Sequence, residues 1–463
     1  MADADGGARI ASRSNPNRLE RRLTSWIAGR VASPTIRAAR RRFVEWRRRR
    51  SGAPHRIEYF HQVDDPYSQL VVQLLEPLVS AYGVELIPQL VGPPSQANNP
   101  ERARLAAYAR KDAADVAPHY GLTFPRAAAV PNPEQIAAVS AALASAPDAA
   151  SFVQRARELG AALWGDVKDR LAEGVARAAP ADEAETRRRS AAGDARRAQL
   201  GHYSGAMLHY GGEWYWGVDR LHHLERRLAA LGATRPGARV PLAPRPAIDP
   251  GSARDDGCIT LEFFPSLRSP YTAVIYERTL ELARETGVRL VLRPVLPMVM
   301  RGVPATFRKG SYIFFDAKRE AEALGVSYGR RFIDPIGAPV ERAYSLYPWA
   351  HERGRGDALL GAFLRAAFDE GVDTSREAGL RSVVQQAGLP WEEARGRIGN
   401  DAWRDELESN RLCMYDELGL WGVPSYRVRG PDGAPDFSTW GQDRLWLVAA
   451  ELRARIARTP ARK

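Results

Sequence analysis

The chain has 463 residues, 44 % of them hydrophobic and 26 % charged, with a formal net charge of +12. At about 100–200 residues per domain, that length accommodates two domains with extensions. No window holds the roughly 18 uncharged apolar residues of a membrane span, and the N-terminus lacks the apolar core of a secretory signal, so the expectation is a soluble, cytoplasmic protein.

Residues 1–54 read as an Arg-rich N-terminal arm. Residues 1–56 carry fifteen arginines against four acids, which accounts for eleven of the twelve net positive charges and leaves the rest of the chain near neutral. The segment "LERRLTSWIAGRVASPTIRAARRRFVEWRRRRSG" can form short amphipathic helices broken near Ser33-Pro34, with Trp26, Ile27, Val31, Ile36, Phe43 and Trp46 as its apolar positions. Either the arm packs loosely on the body, or its basic face attaches to an anionic surface, membrane or nucleic acid.

Next comes "HRIEYFHQVDDPYSQLVVQLLEPLVSAYGVELIPQLV", residues 55–91: a strand, a turn ending in Pro-Tyr, a helix closed by Gly83, and a second strand over Val84–Leu90. A mainly helical stretch follows, then a strand pair and a final helix beginning in "WGVDRL". His222 and His223 are adjacent on that helix, so their side chains should diverge, and no metal pair is expected there. Residues 232–257, rich in Pro, Gly and Arg without an apolar period, form a linker between a domain at 55–231 and another at 258–458. The second domain repeats the order of the first: "ITLEFFPSLRSPYTAVIYERTLELARETGVRLVLRPVL" aligns with 55–91, a helical stretch follows, and "WGQDRL" opens the last helix. Cys258 and Cys413 are the only cysteines. With no C-x-x-C and no Cys/His ligand spacing, neither a dithiol redox couple nor a metal site is expected.

Strand, Ser-Pro-Tyr, helix, a later "GVPSY" before a strand, and "WGQDRL" together resemble the DsbA-like branch of the thioredoxin fold. The resemblance is to its glutathione-using members, the 2-hydroxychromene-2-carboxylate isomerases and kappa-class glutathione transferases. It spans 258–458 and, more faintly, 56–230, and implies an α/β fold of two tandem thioredoxin-like domains, each with a helical insertion. In that family the position of Ser269 corresponds to the first redox cysteine and that of Thr272 to the second. A serine cannot exchange disulfides, but at a helix N-terminus its hydroxyl can hydrogen-bond the sulfur of glutathione and favour the thiolate.

Pro424 resembles the family's cis-proline, with Val423 offering its backbone to the cysteinyl part of glutathione. Gln442 and Asp443 fall where the family holds the γ-glutamyl end, and Lys309 matches a lysine near the active site. The family's nearby asparagine has no clear counterpart. Ser-Pro is also a sufficient helix cap on its own. The first copy has Asp65 at the Ser269 position and Ala206 at the Pro424 position, keeping the cap while placing a carboxylate where it would oppose a thiolate.

The resemblance thus implies a glutathione-dependent isomerase or transferase acting on an aromatic or electrophilic small molecule, the two copies pairing as an intramolecular pseudo-dimer. Tyr312, Phe314, Phe315, Tyr344, Tyr347 and Trp349 are candidates to line the substrate pocket or to form core. The alternatives are a catalytically silent thioredoxin-fold binding protein using its basic arm, or a disulfide oxidoreductase relative that has lost its C-x-x-C.

Overall fold

The computed structural model describes residues 16–458 apart from 32, 304, 330, 432 and 433, so the first fifteen residues of the basic arm lie outside the described residues. Two helices come first, α1 (Arg18–Val31) and α2 (Pro34–Arg50). They are followed by β1 (His55–His61), α3 (Pro66–Ala81) and β2 (Val84–Leu90). A helical insertion then runs through α4 (Arg102–Val116), α5 (Pro133–Ala144), α6 (Ala149–Trp164), α7 (Lys168–Arg177) and α8 (Glu183–Gln199). The strands β3 (Met207–Tyr210) and β4 (Glu213–Trp216) and the helix α9 (Leu221–Ala230) close this half.

The order recurs with β5 (Thr260–Phe264), α10 (Pro270–Thr286) and β6 (Arg289–Leu292). The second insertion comprises α11 (Phe307–Leu324), α12 (Ala338–Tyr344), α13 (Tyr347–Glu352), α14 (Gly356–Phe368), α15 (Glu377–Gln386), α16 (Trp391–Arg395) and α17 (Trp403–Leu412). Last come β7 (Ser425–Arg429), β8 (Phe437–Trp440) and α18 (Leu445–Arg458). None of the described helices is long and apolar enough to cross a membrane.

The fold is mixed α/β with two four-stranded sheets of one topology, β2-β1-β3-β4 and β6-β5-β7-β8. In each, the first strand pairs parallel with the second and antiparallel with the third. The chain divides into two compact units, one of residues 38–246 and one that joins residues 247 onward to those up to 37. The basic arm is therefore not a single separate segment, because α1 belongs to the C-terminal unit.

Local chemistry explains why the two halves begin alike. Asp65 caps α3 by accepting from the backbone N–H of Tyr67 and Ser68, each at 3.2 Å. Ser269 caps α10 by accepting from the N–H of Thr272 at 3.1 Å. A proline follows each cap, at the first helical position, where its missing N–H is harmless. The tyrosine after that proline reaches the insertion in both halves: Tyr67 donates to Asp112 and Tyr271 to Asp316, both at 2.9 Å.

Every residue of β5 is buried, as befits a central strand covered on both faces. Glu262 sits in the middle of it, directly opposite Arg427 on β7. Its carboxylate is bonded by Arg427 Nε and, at 2.8 Å, by Arg293 Nη2. Burial pushes the Glu262 carboxyl upward, but the two guanidiniums outweigh it and hold it below its ordinary value.

One expectation from the sequence is corrected in α9. The rings of His222 and His223 do not diverge; their centroids lie 4.0 Å apart. Divergence presumes a solvent-facing side for one of them, whereas α9 is buried on nearly every face, at Leu221, His222, His223, Leu224, Glu225, Arg227 and Leu228.

Candidate functional site

Because β5 and β6 run parallel and β7 antiparallel to them, the end of β5, the end of β6 and the start of β7 share one edge of the sheet. Ser269 follows β5 and Val423-Pro424 precedes β7, so two segments 154 residues apart in sequence meet there. The Ser269 hydroxyl donates to the Val423 carbonyl at 3.3 Å while accepting from the N–H of Thr272. The Val423–Pro424 bond is cis. Pro424 also accepts from the N–H of Gly441 at 2.9 Å, which ties this loop to the one that opens α18.

Gly422 has to be glycine: a Cβ there would lie 2.0–2.2 Å from ring atoms of Trp440. The Trp440 ring also packs on Trp421, with centroids 4.7 Å apart. The "GVPS" and "WGQD" segments therefore form one packed unit beneath Ser269.

The remaining sequence candidates are placed differently. Gln442 is turned into the interior, where its Nε2 donates to the fully buried Glu320 at 2.7 Å. That bond assigns its side chain to holding α11, and of the Gln442-Asp443 pair only Asp443 keeps a partly exposed carboxylate. Asp443 lies two residues after Gly441, and its Oδ1 occupies the space a Cβ on that glycine would need. Lys309 lies in the first turn of α11, half-buried, and burial pushes its ammonium down to about 8.

The sign of the Lys309 effect is open to test. Below about pH 8 the folded chain carries a desolvated charge that the unfolded chain solvates freely. Above the ordinary value of 10.5 both states are neutral. Lys309→Met is therefore expected to raise the melting temperature at pH 7, the gain shrinking between pH 8 and 10.5; a gain independent of pH contradicts the burial argument.

Of the aromatic candidates, Phe314, Tyr344, Tyr347 and Trp349 are buried as core and Phe315 is exposed, so they form no common pocket wall. Tyr344 nonetheless bears on the site. Its hydroxyl accepts from the N–H of Leu267, two residues before Ser269, at 3.2 Å and donates to the carbonyl of Val295 at 2.9 Å.

Sequence reasoning missed a second brace on the same turn. Arg268 binds Asp334 through two hydrogen bonds of 2.7 Å. Burial pushes Asp334 upward, yet Arg268 holds it below the usual carboxylate range. Arg21 of α1 then donates to the carbonyls of Asp334 and Ile336 at 2.7 and 2.5 Å. The local sequence signal for this brace was an arginine just before the cap; its partners, 66 residues later and 247 residues earlier, carry none.

The N-terminal unit shows what the same frame becomes without these groups. Asp65, pushed up to about 6 by burial, accepts a 2.9 Å bond from the Ser68 hydroxyl. Ser68 in turn accepts from the N–H of Ala206, the residue before β3. Ala206 accepts from the N–H of Gly217 at 2.9 Å, as Pro424 does from Gly441.

Comparison with known proteins places the C-terminal unit. Residues 260–453 match the DSBA-like thioredoxin domain. A 2-hydroxychromene-2-carboxylate isomerase of Sphingobium xenophagum is 22 % identical over 197 residues, 42 % of this chain and 97 % of that protein. Among solved structures, a probable DsbA oxidoreductase from Streptomyces coelicolor is 24 % identical, covering 44 % of this chain and 93 % of that one, with a TM-score of 0.34. The cytosolic disulfide reductase DsbM from Pseudomonas aeruginosa with GSH is 18 % identical, covering 42 % and 99 %, with a TM-score of 0.31. The C-terminal unit thus carries the match to a DSBA-like thioredoxin domain, over residues 260–453, and its similarity to a 2-hydroxychromene-2-carboxylate isomerase spans one such domain.

Neither Cys258 nor Cys413 is in a disulfide. Cys413 is buried, with its Sγ 3.4 Å from a carboxylate oxygen of Glu417, and burial pushes its thiol up. That disfavours the thiolate which disulfide exchange needs.

Proposed function

We propose that the C-terminal domain is a glutathione-dependent isomerase or transferase of the DsbA-like family, acting on an aromatic or otherwise electrophilic small molecule. The observation that carries this reading is the meeting of Ser269 and cis Val423-Pro424 at the N-terminus of the 17-residue helix α10. The residues fit the cofactor. A hydroxyl, a positive helix end and the Val423 carbonyl converge on one point, and the family position that would hold a cysteine holds an oxygen.

Glutathione, when bound, supplies a thiol able to attack an electrophile. Ser269 would turn its proton from the Val423 carbonyl toward the sulfur, stabilising the anion together with the dipole of α10. The Val423 carbonyl, relieved of that proton, would accept from the peptide backbone of the cofactor. Asp443 at the start of α18 would pair with an ammonium.

The shared strand order, the paired Tyr67–Asp112 and Tyr271–Asp316 bonds and the matching Ala206 and Pro424 turns support a duplication. In it the N-terminal copy has kept the frame and lost the thiol chemistry. Titration calorimetry with glutathione tests the assignment: one site per chain is expected, and heat no different from dilution contradicts it.

A second, compatible reading concerns α1. Its inner face buries Arg21 and Ser25, while Leu19, Leu23, Trp26 and Ile27 stand outward at 80, 60, 60 and 47 % exposure. An outward stripe of this kind, with Arg30 over the Trp26 ring and eleven net positive charges in residues 1–56, suits an anionic membrane surface. Nucleic acid would draw on the arginines alone and leave the leucines unexplained. The protein is expected to sediment with anionic vesicles but not neutral ones, and less as salt rises. Leu23→Glu with Trp26→Glu should abolish the effect; a wild-type protein that stays in the supernatant overturns the idea.

A further inference from the structure

On the same sheet edge as Ser269, a cavity of about 210 Å³ is lined by Leu296, Arg301, Trp403, Arg404, Leu407, Glu408 and Arg411. Three guanidiniums line it, and two of them are matched by carboxylates. Arg411 is held by Glu408 through two bonds of 2.8 and 2.7 Å, and Arg404 binds Asp401 at 2.6 Å while stacking over Trp403. Arg301 differs from both. Its Nε donates to the carbonyl of Leu296 and its Nη2 to that of Trp421, each at 2.9 Å. Both hydrogen-bond partners are neutral, and Glu408, the one carboxylate of the lining, is bound by Arg411 and acts on Arg301 only through space, so three guanidiniums face a single lining carboxylate around a space large enough for a small ion. Burial accordingly pushes Arg301 down to about 10. A buried charge is ordinarily paired, because a desolvated guanidinium gains most from an ionised acceptor.

We infer that this cavity is a binding site for a compact oxyanion of phosphate size, with Arg301 as the central ligand and Arg404 and Arg411 at the rim. The planar fork of Arg301 suits two oxygens of one anion, and Leu296, Leu407 and Trp403 supply the low-dielectric wall that strengthens the contact. Arg301 also links the loop after β6 to the Trp421 carbonyl, two residues before Val423. An anion seated here would be sensed by the loop that faces Ser269. The inference rests on the charge balance of the cavity and is independent of glutathione binding.

Inorganic phosphate is the probe, titrated into the full chain by calorimetry near pH 7. Saturable binding of one ion per chain is expected, weakening as sodium chloride is raised. Arg301→Gln should weaken it roughly tenfold or more, the scale of a lost hydrogen bond to a charged group. Because Arg301 also clamps two loops, Arg404→Glu provides the second variant: it places a carboxylate at the rim without touching those clamps, and should abolish binding with the melting temperature kept. Ser269→Ala should bind phosphate as the wild type does. Competition by sulfate but not acetate assigns the pocket to tetrahedral ions, and competition by both extends it to carboxylates. Absence of saturable binding by the wild type, or binding unchanged in Arg404→Glu, overturns the proposal and leaves Arg301 as a loop clamp alone.

Discussion

Replacing Ser269 by alanine is expected to separate two roles that one hydroxyl performs. As the cap of α10 it accepts from the N–H of Thr272, and losing that bond should cost about 1 kcal/mol of stability. As the donor facing Val423 it is the side-chain group placed to meet a developing thiolate at the start of α10. Its loss should therefore raise the pKa of bound glutathione and slow any thiol-dependent turnover by roughly 10²–10³-fold.

The N-terminal unit suggests the control. Ser269→Asp copies Asp65, which caps α3 well through Tyr67 and Ser68. That variant should keep its stability and still lose function, since a carboxylate beside the sulfur repels the thiolate. Equal activity in wild type, Ser269→Ala and Ser269→Asp would reduce Ser269 to a cap.

The largest expected effect on stability lies at Glu262. Its carboxylate is almost fully buried between Arg427 and Arg293, and Arg427 is itself buried. Glu262→Gln leaves the Arg427 guanidinium desolvated, with the exposed Glu417 at 2.8 Å and the exposed Asp436 at 3.9 Å as its remaining carboxylates. Breaking one side of a buried pair costs about 3–5 kcal/mol, and the residual Glu417 contact favours the lower end. The double change Glu262→Leu with Arg427→Met should restore most of that loss, because it removes both charges together. Glu417→Ala, at the solvent rim, should move stability by no more than about 1 kcal/mol. Urea midpoints for the four proteins settle the ranking. A Glu262→Gln variant as stable as wild type would mean that the network is better hydrated than its burial implies.

Much of the frame is legible in the sequence because it is set by local chemistry. Ser269-Pro270 and Asp65-Pro66 announce helix starts, Gly287 in its left-handed conformation ends α10, and the recurrence of strand, Pro-Tyr, helix and strand marks the second domain. Pro424 could be placed opposite Ser269 because the order of the motifs matched a known pattern. What stayed hidden depends on long-range packing. Gln442 reads like a ligand-binding side chain, yet Glu320, 122 residues earlier, holds it inside. The Arg268–Asp334–Arg21 brace joins three distant segments. The close approach of the His222 and His223 rings follows from the burial of a whole helix, which adjacency in sequence does not reveal.

The central claim is that Ser269 makes a thiolate of glutathione. The most direct measurement is a spectrophotometric pH titration of the glutathione thiolate in complex with the wild-type chain and with Ser269→Ala. The account predicts a bound thiol pKa below that of free glutathione in the wild type and a return toward the free value in the variant. A wild-type complex whose thiol titrates like free glutathione, or a lowered pKa that survives the loss of the hydroxyl, would contradict it.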